Sequence, residues 1–440
     1  MNQSSVPANP KPAQPSDTDT VIVGGGIAGA ALAYALARSG LRVLVLESTE
    51  VFRDRVRGES MMPWGVAEAQ SLGVANLLRA AGAHTVPLWK RYTEGDPTAR
   101  DLPVGRLIPG VEGTLNLHHP VACQALLDAA AEAGATVIRG VRNVAVMPGA
   151  KPRLGYRLGD SEYTVTASLV VGADGRGSVV RRCAAIVLQQ QEATSFVAGL
   201  LLEEVAGPDG FDVVMEHDLG VCLLLRQGRG RARAYHIVPP AHRTRYAGEG
   251  GLERFLADAT ASGSPLAPML TNARTAGPCG VVPGTDTWTD RPYADGVVLI
   301  GDAAGHNDPG AGCGLSIAMR DARLVRDLVL AGARRAEDFA PYGAERLERM
   351  RRLRLIGDVV AAATVESDEN RSTRRRHFAQ AMATMDAEIS PLVLGMFAGP
   401  ETIPAHLANE AVLQRIRSAG NTNMNTNTNT NTTMKTLHIK

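Results

Sequence analysis

A short glycine-rich segment near the beginning of the chain restricts the possible folds more than any other feature. Residues 21–29 read VIVGGGIAG, which is an apolar run, a G-x-G-x-x-G pattern and the start of an alanine-rich stretch. Gly24 permits a tight turn, Gly26 lets a pyrophosphate approach the backbone, and Gly29 lets the following helix pack closely on the strand. The first turn of that helix, which contains Ala28, offers backbone N–H groups and a partial positive charge to phosphate. The segment therefore predicts a strand–turn–helix unit that binds a dinucleotide.

An acidic residue ends the next strand-like run. Glu47 follows residues 42–46, about twenty residues after the glycine pattern, where dinucleotide-binding proteins place a carboxylate that accepts hydrogen bonds from both ribose hydroxyls. A carboxylate at this position repels a 2′-phosphate. The expected ligand is consequently FAD or NAD and not NADP.

The order of strand-like and helix-like runs indicates an α/β fold. Strand-like runs at residues 21–23, 42–46, 169–171 and 297–300 are separated by helix-like runs at 30–39, 122–133 and 315–330. This alternation predicts a parallel sheet covered by helices. Short segments separated by Gly, Pro and Asp between about residues 187 and 282 predict an inserted antiparallel sheet. The pattern from about residue 337 to 407 is helical and rich in charge.

The two ends of the chain have compositions that are typical of disorder. The first eighteen or so residues are rich in Pro, Ser and Gln, and residues 421–433 alternate almost strictly between Asn and Thr. Neither segment has enough apolar content to fold. We expect a flexible arm and a flexible tail that take no part in the chemistry.

Charge and cysteine content exclude several classes of function. The chain carries 46 basic and 45 acidic residues, a net charge of +1, which attracts neither nucleic acid nor an anionic membrane. Its five cysteines form no C-x-x-C pair, which argues against a metal site and fits a reducing cytoplasm. The N-terminus lacks the features of a secretory signal, and glycines and arginines interrupt the most apolar stretch, residues 21–46. We expect a cytoplasmic protein with a small-molecule partner, no nucleic acid, no stable membrane insertion and no metal.

Arginines are concentrated in the helical region near the C-terminus. They are Arg349, Arg351, Arg352, Arg354 and residues 374–376. We interpret them as solvated helix faces, and binding of an anionic surface is the alternative.

Two further motifs lie downstream of the glycine pattern. Residues 297–316 read VVLIGDAAGHNDPGAGCGLS, which is a buried strand that ends in Gly-Asp and a glycine-rich loop that leads into a long helix. Residues 170–181 read VVGADGRGSVVR and contain an Asp-Gly pair. In this order the three motifs resemble the fingerprints of the para-hydroxybenzoate hydroxylase family of class A FAD-dependent monooxygenases. The resemblance extends over about residues 19–355.

The resemblance implies noncovalent FAD and assigns contacts to the second motif. Asp302 would hold a ribitol hydroxyl, and Pro309 would lie against the isoalloxazine. Backbone N–H groups around Gly312, Gly314 and Leu315 would face flavin N1 and the C2 carbonyl. A helix N-terminus suits this place because reduced flavin is an anion at N1.

Other positions resemble the family less closely. The region of Asp174 is associated in the family with both FAD and the nicotinamide donor, and a simple Asp-Gly turn is the alternative. Arg57 falls where the family has a basic residue near the FAD ribose and pyrophosphate. His119 stands where relatives usually carry Arg or Gln, so an ordinary surface histidine is the alternative there. The element YGAER at residues 342–346 resembles a Y-x-x-E-R element that we interpret as packing.

The motif positions predict a discontinuous Rossmann-like FAD-binding domain with an inserted antiparallel sheet domain and a helical C-terminal region. The predicted units are a disordered arm (1–18), the FAD-binding domain (19–80, 114–186 and 289–335), a substrate domain (81–113 and 187–288), the helical region (336–415) and a disordered tail (416–440).

The implied function is that of an FAD-dependent monooxygenase. NADH or NADPH would bind transiently, because FAD takes the one complete G-x-G-x-x-G pattern, and would pass hydride to flavin N5. O2 would add at C4a to give a hydroperoxide, whose distal oxygen is transferred to an aromatic or polyketide-like small molecule. Tyr235 and His236 are candidates to deprotonate a phenol, although neighbours on a strand cannot both face one pocket, and structural roles are the alternative.

Two other functions remain open. The sequence GES at residues 58–60, followed by Pro63, also resembles flavin-dependent halogenases. Their W-x-W-x-I-P signature is missing, and Lys90 falls a few residues beyond the position of their catalytic lysine. A non-enzymatic flavin-binding protein is the other alternative, which would show no substrate-stimulated oxidation of NAD(P)H.

Overall fold

The computed structural model describes residues 18–56, 58–93, 96 and 98–419. In this part of the chain the strands are β1 (Thr18–Val23), β2 (Val43–Glu47), β3 (Ser60–Met61), β4 (His84–Val86), β5 (Leu88–Tyr92), β6 (Arg100–Leu102), β7 (Thr114–Asn116), β8 (Thr136–Arg139), β9 (Arg142–Met147), β10 (Arg153–Leu158), β11 (Ser161–Gly172), β12 (Gln189–Gln190), β13 (Ser195–Glu203), β14 (Phe211–His217), β15 (Gly220–Gly228), β16 (Arg231–Val238), β17 (Arg274–Thr275), β18 (Gly280–Gly284), β19 (Thr287–Trp288), β20 (Tyr293–Ala294) and β21 (Val297–Leu299). The α-helices are α1 (Ile27–Arg38), α2 (Pro63–Leu72), α3 (Ala75–Ala80), α4 (His119–Glu132), α5 (Val179–Cys183), α6 (Gly251–Ala259), α7 (Ala267–Leu270), α8 (Gly314–Leu330), α9 (Ala340–Thr364), α10 (Arg371–Ala383), α11 (Ser390–Ala398) and α12 (Ala411–Ser418).

The first large sheet is mainly parallel. Its strand order is β20-β21-β11-β1-β2-β8, with β9 and β10 attached to β11 as an antiparallel ribbon. Strands β1, β2 and β21 are almost wholly buried, which explains their unbroken apolar sequences. Helices α1, α4 and α8 cover one face together with α2 and α3.

The parallel strands bring the three sequence motifs to one edge of this sheet. Val23 is in register with Gly172, which is in register with Leu299. Each strand ends at that level and continues into one of the motifs, and ligands of open α/β sheets bind at this carboxyl edge.

The second large sheet is mostly antiparallel. Its order is β17-β13-β16-β15-β14-β5-β6, and β18 pairs with β13. Strands β5 and β6 come from residues 81–113 and the others from residues 187–288, the two segments that the sequence assigns to one substrate domain. One face packs on helices α6 and α7, and the other faces α9 to α11.

These two sheets and the C-terminal helices confirm the predicted fold class. The exact domain boundaries stay a prediction.

The interpretation of the C-terminal arginines as solvated is wrong for three of them. Arg349, Arg374 and Arg375 are at most 3% exposed. Arg374 donates to the carbonyl of Ala362 at 3.0 Å, and Arg375 donates to the carbonyl of Thr364 at 2.6 Å. The guanidinium groups of Arg374 and Arg375 satisfy carbonyls at the end of α9 and bind α10 to it, whereas Arg349 pairs with Asp321 at 2.7 Å.

Two classes of feature are absent from the described residues. No helix there is both long and apolar enough to cross a membrane. No group of His, Cys, Asp or Glu side chains in the same ranges has an arrangement that could hold a metal ion.

Candidate active site

A cavity of about 1380 Å³ lies between the carboxyl edge of the parallel sheet, the antiparallel sheet and helices α9 to α11. This exceeds the roughly 300–1,000 Å³ of pockets for one drug-sized ligand. The predicted site residues on its wall are Gly26, Ala28, His119, Tyr235, Asp302, Pro309, Gly312, Gly314 and Leu315. The cavity is therefore large enough for a cofactor and a second molecule.

The glycine loop has the form that a dinucleotide requires. Gly24 has a φ of +104°, and a Cβ there would lie 2.3 Å from the carbonyl oxygen of Ala173. A Cβ on Gly29 would lie 2.0 Å from the carbonyl oxygen of Gly24, so this glycine keeps α1 against the strand. A Cβ on Gly26 would meet nothing within 4 Å. Gly26 is the N-cap residue of α1, and no side chain makes a capping hydrogen bond there. The N-terminus of the helix is therefore open to the cavity.

Glu47 lies behind this loop. Its carboxylate accepts hydrogen bonds from the backbone N–H groups of Gly25 and Thr49, both at 2.6 Å, and the residue is 6% exposed. These bonds fix the loop and orient the carboxylate. Because a carboxylate accepts about four hydrogen bonds, capacity remains for ribose hydroxyls, and that contact stays a prediction.

Buried charged side chains bind the backbone of the loop that carries Asp302. The backbone N–H of Gly301 donates to Asp321 at 2.8 Å. Arg346 donates to the carbonyl oxygens of Ala304 at 2.9 Å and Gly305 at 2.8 Å. Burial alone would raise the pKa of the Asp321 carboxyl, but the guanidinium groups beside it lower that pKa on balance. The loop is therefore fixed by an ionised cluster.

We call Asp321 and Arg346, which hold this loop, the clamp. The sequence did not predict it. Arg346 is the last residue of the Y-x-x-E-R element, and Tyr342 at its start donates to the carbonyl of Leu299 at 2.8 Å. The element does pack, and it also holds the second motif. Asp302 itself is partly exposed on the cavity wall, 3.3 Å from Arg176.

The segment from Pro309 to Leu315 forms the second helix N-terminus on the cavity. Gly312 has a φ of +67°, which a glycine adopts without strain. A Cβ on Gly314 would meet nothing within 4 Å, so the start of α8 is accessible. His306 precedes this segment and bonds to the Thr287 hydroxyl at 2.8 Å. Burial lowers the pKa of His306 to about 4, so it is neutral at pH 7.

Three remaining predictions have different outcomes. Asp174 does not line the cavity, because its carboxylate accepts from the hydroxyl of Ser178 at 2.5 Å and from the N–H of Val179 at 2.6 Å. His119 begins α4 and lines the cavity, with Nδ1 3.5 Å from the sulfur of Cys123. Arg57 lies outside the described residues. The cavity wall includes Arg55, a basic residue of the same segment that sequence reasoning did not single out.

The residues fit FAD at this end of the cavity. Two helix N-termini, those of α1 and α8, open onto it at positions where glycine leaves room for a close approach. Arg55 and Arg176 also line the cavity and add positive charge to its wall. Anionic phosphates and a flavin that becomes anionic on reduction are stabilised by such groups.

Most of the remaining wall is apolar, although Arg91 and Arg100, which contact Phe378 and Ala379 of α10, also line the cavity. Leu223, Leu225 and Ile237 line it from the antiparallel sheet. Helices α9 to α11 contribute Val360, Phe378, Met382, Val393, Leu394, Met396 and Phe397. We call this part the apolar compartment.

Tyr235 and His236 lie on opposite faces of β16. Tyr235 lines the cavity. His236 is fully buried on the other side, with Nε2 3.1 Å from the carbonyl of Phe255 and Nδ1 3.2 Å from His217. Burial lowers the pKa of His236 to about 3. His236 therefore does not contact the cavity and acts in the packing of the sheet.

A protein family described as "FAD binding domain" matches residues 17–354, more than half of the chain. Squalene monooxygenase SE1 of Panax ginseng is 28% identical over 318 residues, which cover 71% of this chain and 58% of that protein. The chain thus spans under two thirds of the length of this relative. The 6-methylpretetramide 4-monooxygenase of Streptomyces rimosus is 28% identical over 345 residues, with 74% of this chain and 78% of that protein covered.

Solved structures share the fold. The flavin-dependent halogenase CmlS superposes with a TM-score of 0.70 at 21% identity, covering 91% of this chain and 76% of its own. The p-nitrophenol 4-monooxygenase PnpA from Pseudomonas putida DLL-E4 superposes with a TM-score of 0.72 at 17% identity, covering 91% and 99%. Because halogenating and oxygenating enzymes both have this fold, the fold alone does not distinguish the two reactions.

Proposed function

Because the chain belongs to the FAD-binding family of flavoprotein monooxygenases related to para-hydroxybenzoate hydroxylase, we propose that it is an FAD-dependent monooxygenase of small molecules. It would use NADH or NADPH and O2 to hydroxylate an aromatic or polyketide-like substrate. One observation carries this proposal: the glycine loop and the Asp302 loop open onto the same cavity as the apolar compartment. Bound FAD would supply electron transfer from the nicotinamide to O2 and the transfer of one oxygen atom.

The residues of this chain hold and orient the cofactor in this proposal. The N-terminus of α1 at Gly26 would bind the pyrophosphate, Glu47 the adenosine ribose and Asp302 a ribitol hydroxyl. The N-terminus of α8 at Gly314 and Leu315 would face the N1 side of the flavin and stabilise negative charge there. The apolar compartment would exclude water from the reacting atoms and hold the substrate.

The nicotinamide would bind transiently in this proposal. The described residues contain one G-x-G-x-x-G turn, and its helix N-terminus would be taken by FAD. We therefore expect NAD(P)H to dissociate readily. Stoichiometric NAD(P) in the purified protein would contradict this expectation.

The test follows oxygen from O2 into a product. Purified protein is expected to be yellow and to release FAD on denaturation. A library of phenols and polycyclic aromatics is screened for compounds that accelerate NAD(P)H oxidation, and the best are incubated with labelled O2. The proposal expects a product with one labelled oxygen atom. If no compound accelerates oxidation, a flavin-binding protein without this activity replaces the proposal.

The same assay decides the halogenase alternative. Lys90 is held by Asp101 at 3.0 Å and lies 5.2 Å from the ring centre of Phe211. It does not line the cavity, whereas Asp101 does. We therefore expect no halogen in products formed with chloride or bromide present, and no loss of oxygenation in Lys90→Ala. Chlorinated products that disappear in Lys90→Ala would make halogenation the function.

A further inference from the structure

Asp308, the residue before Pro309, places a carboxyl group on the wall of the cavity. One carboxylate oxygen, Oδ1, accepts a hydrogen bond from the backbone N–H of Gly310 at 2.7 Å. The other, Oδ2, lies 3.2 Å from the hydroxyl of Ser195, which is 1% exposed and also lines the cavity. Because Oδ1 already accepts from an N–H, an acidic proton on this carboxyl would lie on Oδ2, toward Ser195.

Two glycines leave room for this pair. A Cβ on Gly284 would lie 2.7 Å from both carboxylate oxygens of Asp308 and 2.1 Å from the hydroxyl oxygen of Ser195. A Cβ on Gly310 would lie 3.1 Å from Oδ1 of Asp308. Gly284 is also the residue that pairs with Ser195 between β18 and β13. A side chain at Gly284 would therefore break the contact between the carboxyl and the hydroxyl.

The pair stands between the two parts of the cavity. Asp308 directly precedes Pro309, which the family resemblance places against the isoalloxazine. On the other side, a Cβ on Gly310 would lie 3.6 Å from the side chain of Ile237, a residue of the apolar compartment. A proton on Asp308 is consequently close to the place where flavin and substrate would meet.

The neighbouring residue carries an acceptor without a partner. Asn307 is 5% exposed, lines the cavity and donates from its amide to Asp286 at 2.6 Å. Its amide oxygen has no hydrogen-bond partner among the described residues. A buried acceptor of this kind costs free energy, so it points to a donor from a bound molecule or water at this place. Asp286 also accepts from the backbone N–H of Asp308 at 3.2 Å, so it holds both residues.

The surroundings of Asp308 favour its protonated form. Burial raises the pKa of the Asp308 carboxyl, and the opposing effects of its two hydrogen bonds and of the Arg176 charge are smaller. Two further carboxyl groups, those of Asp286 and of Asp358 on α9, are close enough to repel a negative charge on Asp308. Burial raises the pKa of Asp286 to about 6.

A structural role alone does not require an acid at this position. Asp308 is the N-cap of the 3-10 helix Pro309–Ala311, and asparagine caps helices equally well. An asparagine would make the same two hydrogen bonds without the cost of burying an ionisable group. A titratable group that is kept on a cavity wall in spite of this cost is typical of acid–base chemistry.

The proposed reaction needs a proton inside the cavity. Its balance is RH + O2 + NAD(P)H + H+ giving ROH + NAD(P)+ + H2O, so each turnover consumes a proton in addition to the hydride. The apolar wall excludes the water that would otherwise supply it. Reoxidation of reduced, anionic FAD by O2 without a substrate also takes up a proton and gives hydrogen peroxide.

We propose that Asp308 and Ser195 form a proton relay that delivers this proton to the oxygen group derived from O2. The bond between Oδ2 of Asp308 and its proton breaks, the Ser195 hydroxyl takes that proton, and it releases its own proton to the oxygen group. Water then returns a proton to the carboxylate, and no electrons move in these steps. Asn307 and Asp286 are positioning residues. This inference rests on the proposed function, because it assigns a step of that reaction.

The test follows the reoxidation of FAD-loaded protein by O2, which needs no substrate. The protein is reduced with dithionite without air and mixed with O2 at a series of pH values, and the flavin absorbance gives the rate constant. In wild type the rate constant should fall as pH rises through the pKa of Asp308, because only the protonated carboxyl donates. Asp308→Asn should react about 100-fold more slowly at low pH and lose this pH dependence, and added formic acid should restore part of the rate.

Ser195→Ala is the second variant, and Asp338→Asn is the matched control. Ser195→Ala removes a bond that lowers the pKa of Asp308, so the rate constant should be smaller and its fall should move to higher pH. Asp338 also binds backbone N–H groups beside a 3-10 helix, those of Arg334 and Arg335 at 2.9 Å, and it does not line the cavity. Asp338→Asn should keep the wild-type profile.

A second readout needs no reaction. The visible absorbance of oxidised, bound FAD responds to a charge beside its ring. Its pH titration in wild type should therefore show a transition above 3.8, the ordinary pKa of an aspartate. The transition should be absent from Asp308→Asn and present in Asp338→Asn.

The opposite results overturn the proposal. If Asp308→Asn reacts with O2 at the wild-type rate, or keeps the pH dependence, another group supplies the proton. If Asp308→Asn does not retain FAD, Ser195→Ala decides, and an unchanged rate and profile in that variant would refute the relay. Failure of the proposed function is a separate result, since it appears as a lack of compound-stimulated NAD(P)H oxidation in wild-type protein that still shows the pH profile.

Discussion

Adding a side chain at Gly26 and adding one at Gly29 should have different effects on the protein. Gly29 is required by the fold, because a Cβ there would lie 2.0 Å from the carbonyl oxygen of Gly24 and 3.0 Å from the Cβ of Ala173. Gly26 has open space around its would-be Cβ and a φ of −71°, which any residue adopts. We therefore expect Gly26 substitutions to affect the cofactor and Gly29 substitutions to affect the protein itself.

The magnitudes follow from these contacts. In Gly29→Ala the helix must move off the strand, and overpacking of this type costs about 1–3 kcal/mol. In Gly26→Val the cofactor-free protein loses only the preference for glycine at a helix N-cap, about 0.5–1 kcal/mol. The valine methyl groups would fill the space of a phosphate and remove two charge-assisted hydrogen bonds, worth about 3 kcal/mol together. FAD affinity should then fall about 100-fold.

The assay separates the two effects by measuring them independently. Urea unfolding of the cofactor-free variants gives the free energy of unfolding, and titration with FAD, followed by flavin fluorescence, gives the dissociation constant. Gly26→Val should lose no more than about 1 kcal/mol of unfolding free energy and bind FAD weakly, whereas Gly29→Ala should lose about 1–3 kcal/mol and keep its FAD affinity in the folded state. Normal FAD affinity in Gly26→Val would refute the assignment of the pyrophosphate to this loop.

Three further changes test the surroundings of the site. Arg346→Lys keeps the charge beside Asp321 but loses the planar guanidinium group that donates to the carbonyls of the Asp302 loop. The free energy of unfolding, measured in urea, should fall by about 2–4 kcal/mol. A fall below about 0.5 kcal/mol would contradict the role of the clamp. Asp286 accepts a hydrogen bond at 2.6 Å from Asn307, which lines the cavity, and burial raises the pKa of Asp286 from 3.8 to about 6. Its protonated form therefore contributes stability at low pH that is lost as pH rises through about 6. The unfolding free energy of Asp286→Asn relative to wild type should rise by about 2–3 kcal/mol between pH 4 and pH 8, and a pH-independent difference would refute this. Deletion of all residues after Gly420 should leave the melting temperature and activity nearly unchanged, since a polar Asn/Thr tail buries little, and a large fall would show that the tail packs.

The parts of the site that the sequence predicts are those where backbone geometry alone makes the contact. The role of the glycines at positions 24 and 29 can be predicted because any side chain there would collide with a neighbouring backbone oxygen. The Asp302 loop can be predicted for a related reason. It follows a buried strand and precedes a helix, and both elements can be recognised in the sequence. Such requirements are local, and a short window of sequence contains them.

The parts that sequence did not predict depend on contacts between distant segments. Glu59 and Tyr235 are 176 positions apart, and their contact joins the residue before β3 to strand β16 of the antiparallel sheet. The burial of Arg374 had no local signal either, since the same arginine-rich pattern is typical of solvated helices. A charge on a helix shows its role only when the carbonyls and carboxylates that surround it are known.

Helix α9 contacts both the Asp302 loop and the apolar compartment. Its 25 residues span about 38 Å at 1.5 Å per residue. Near its beginning, Arg346 donates to carbonyls of the Asp302 loop, and near its end, Val360 lines the apolar compartment. The same helix therefore contacts both regions. Replacements at the pocket end should consequently alter which molecules bind, whereas replacements at the Arg346 end should alter how well FAD is held.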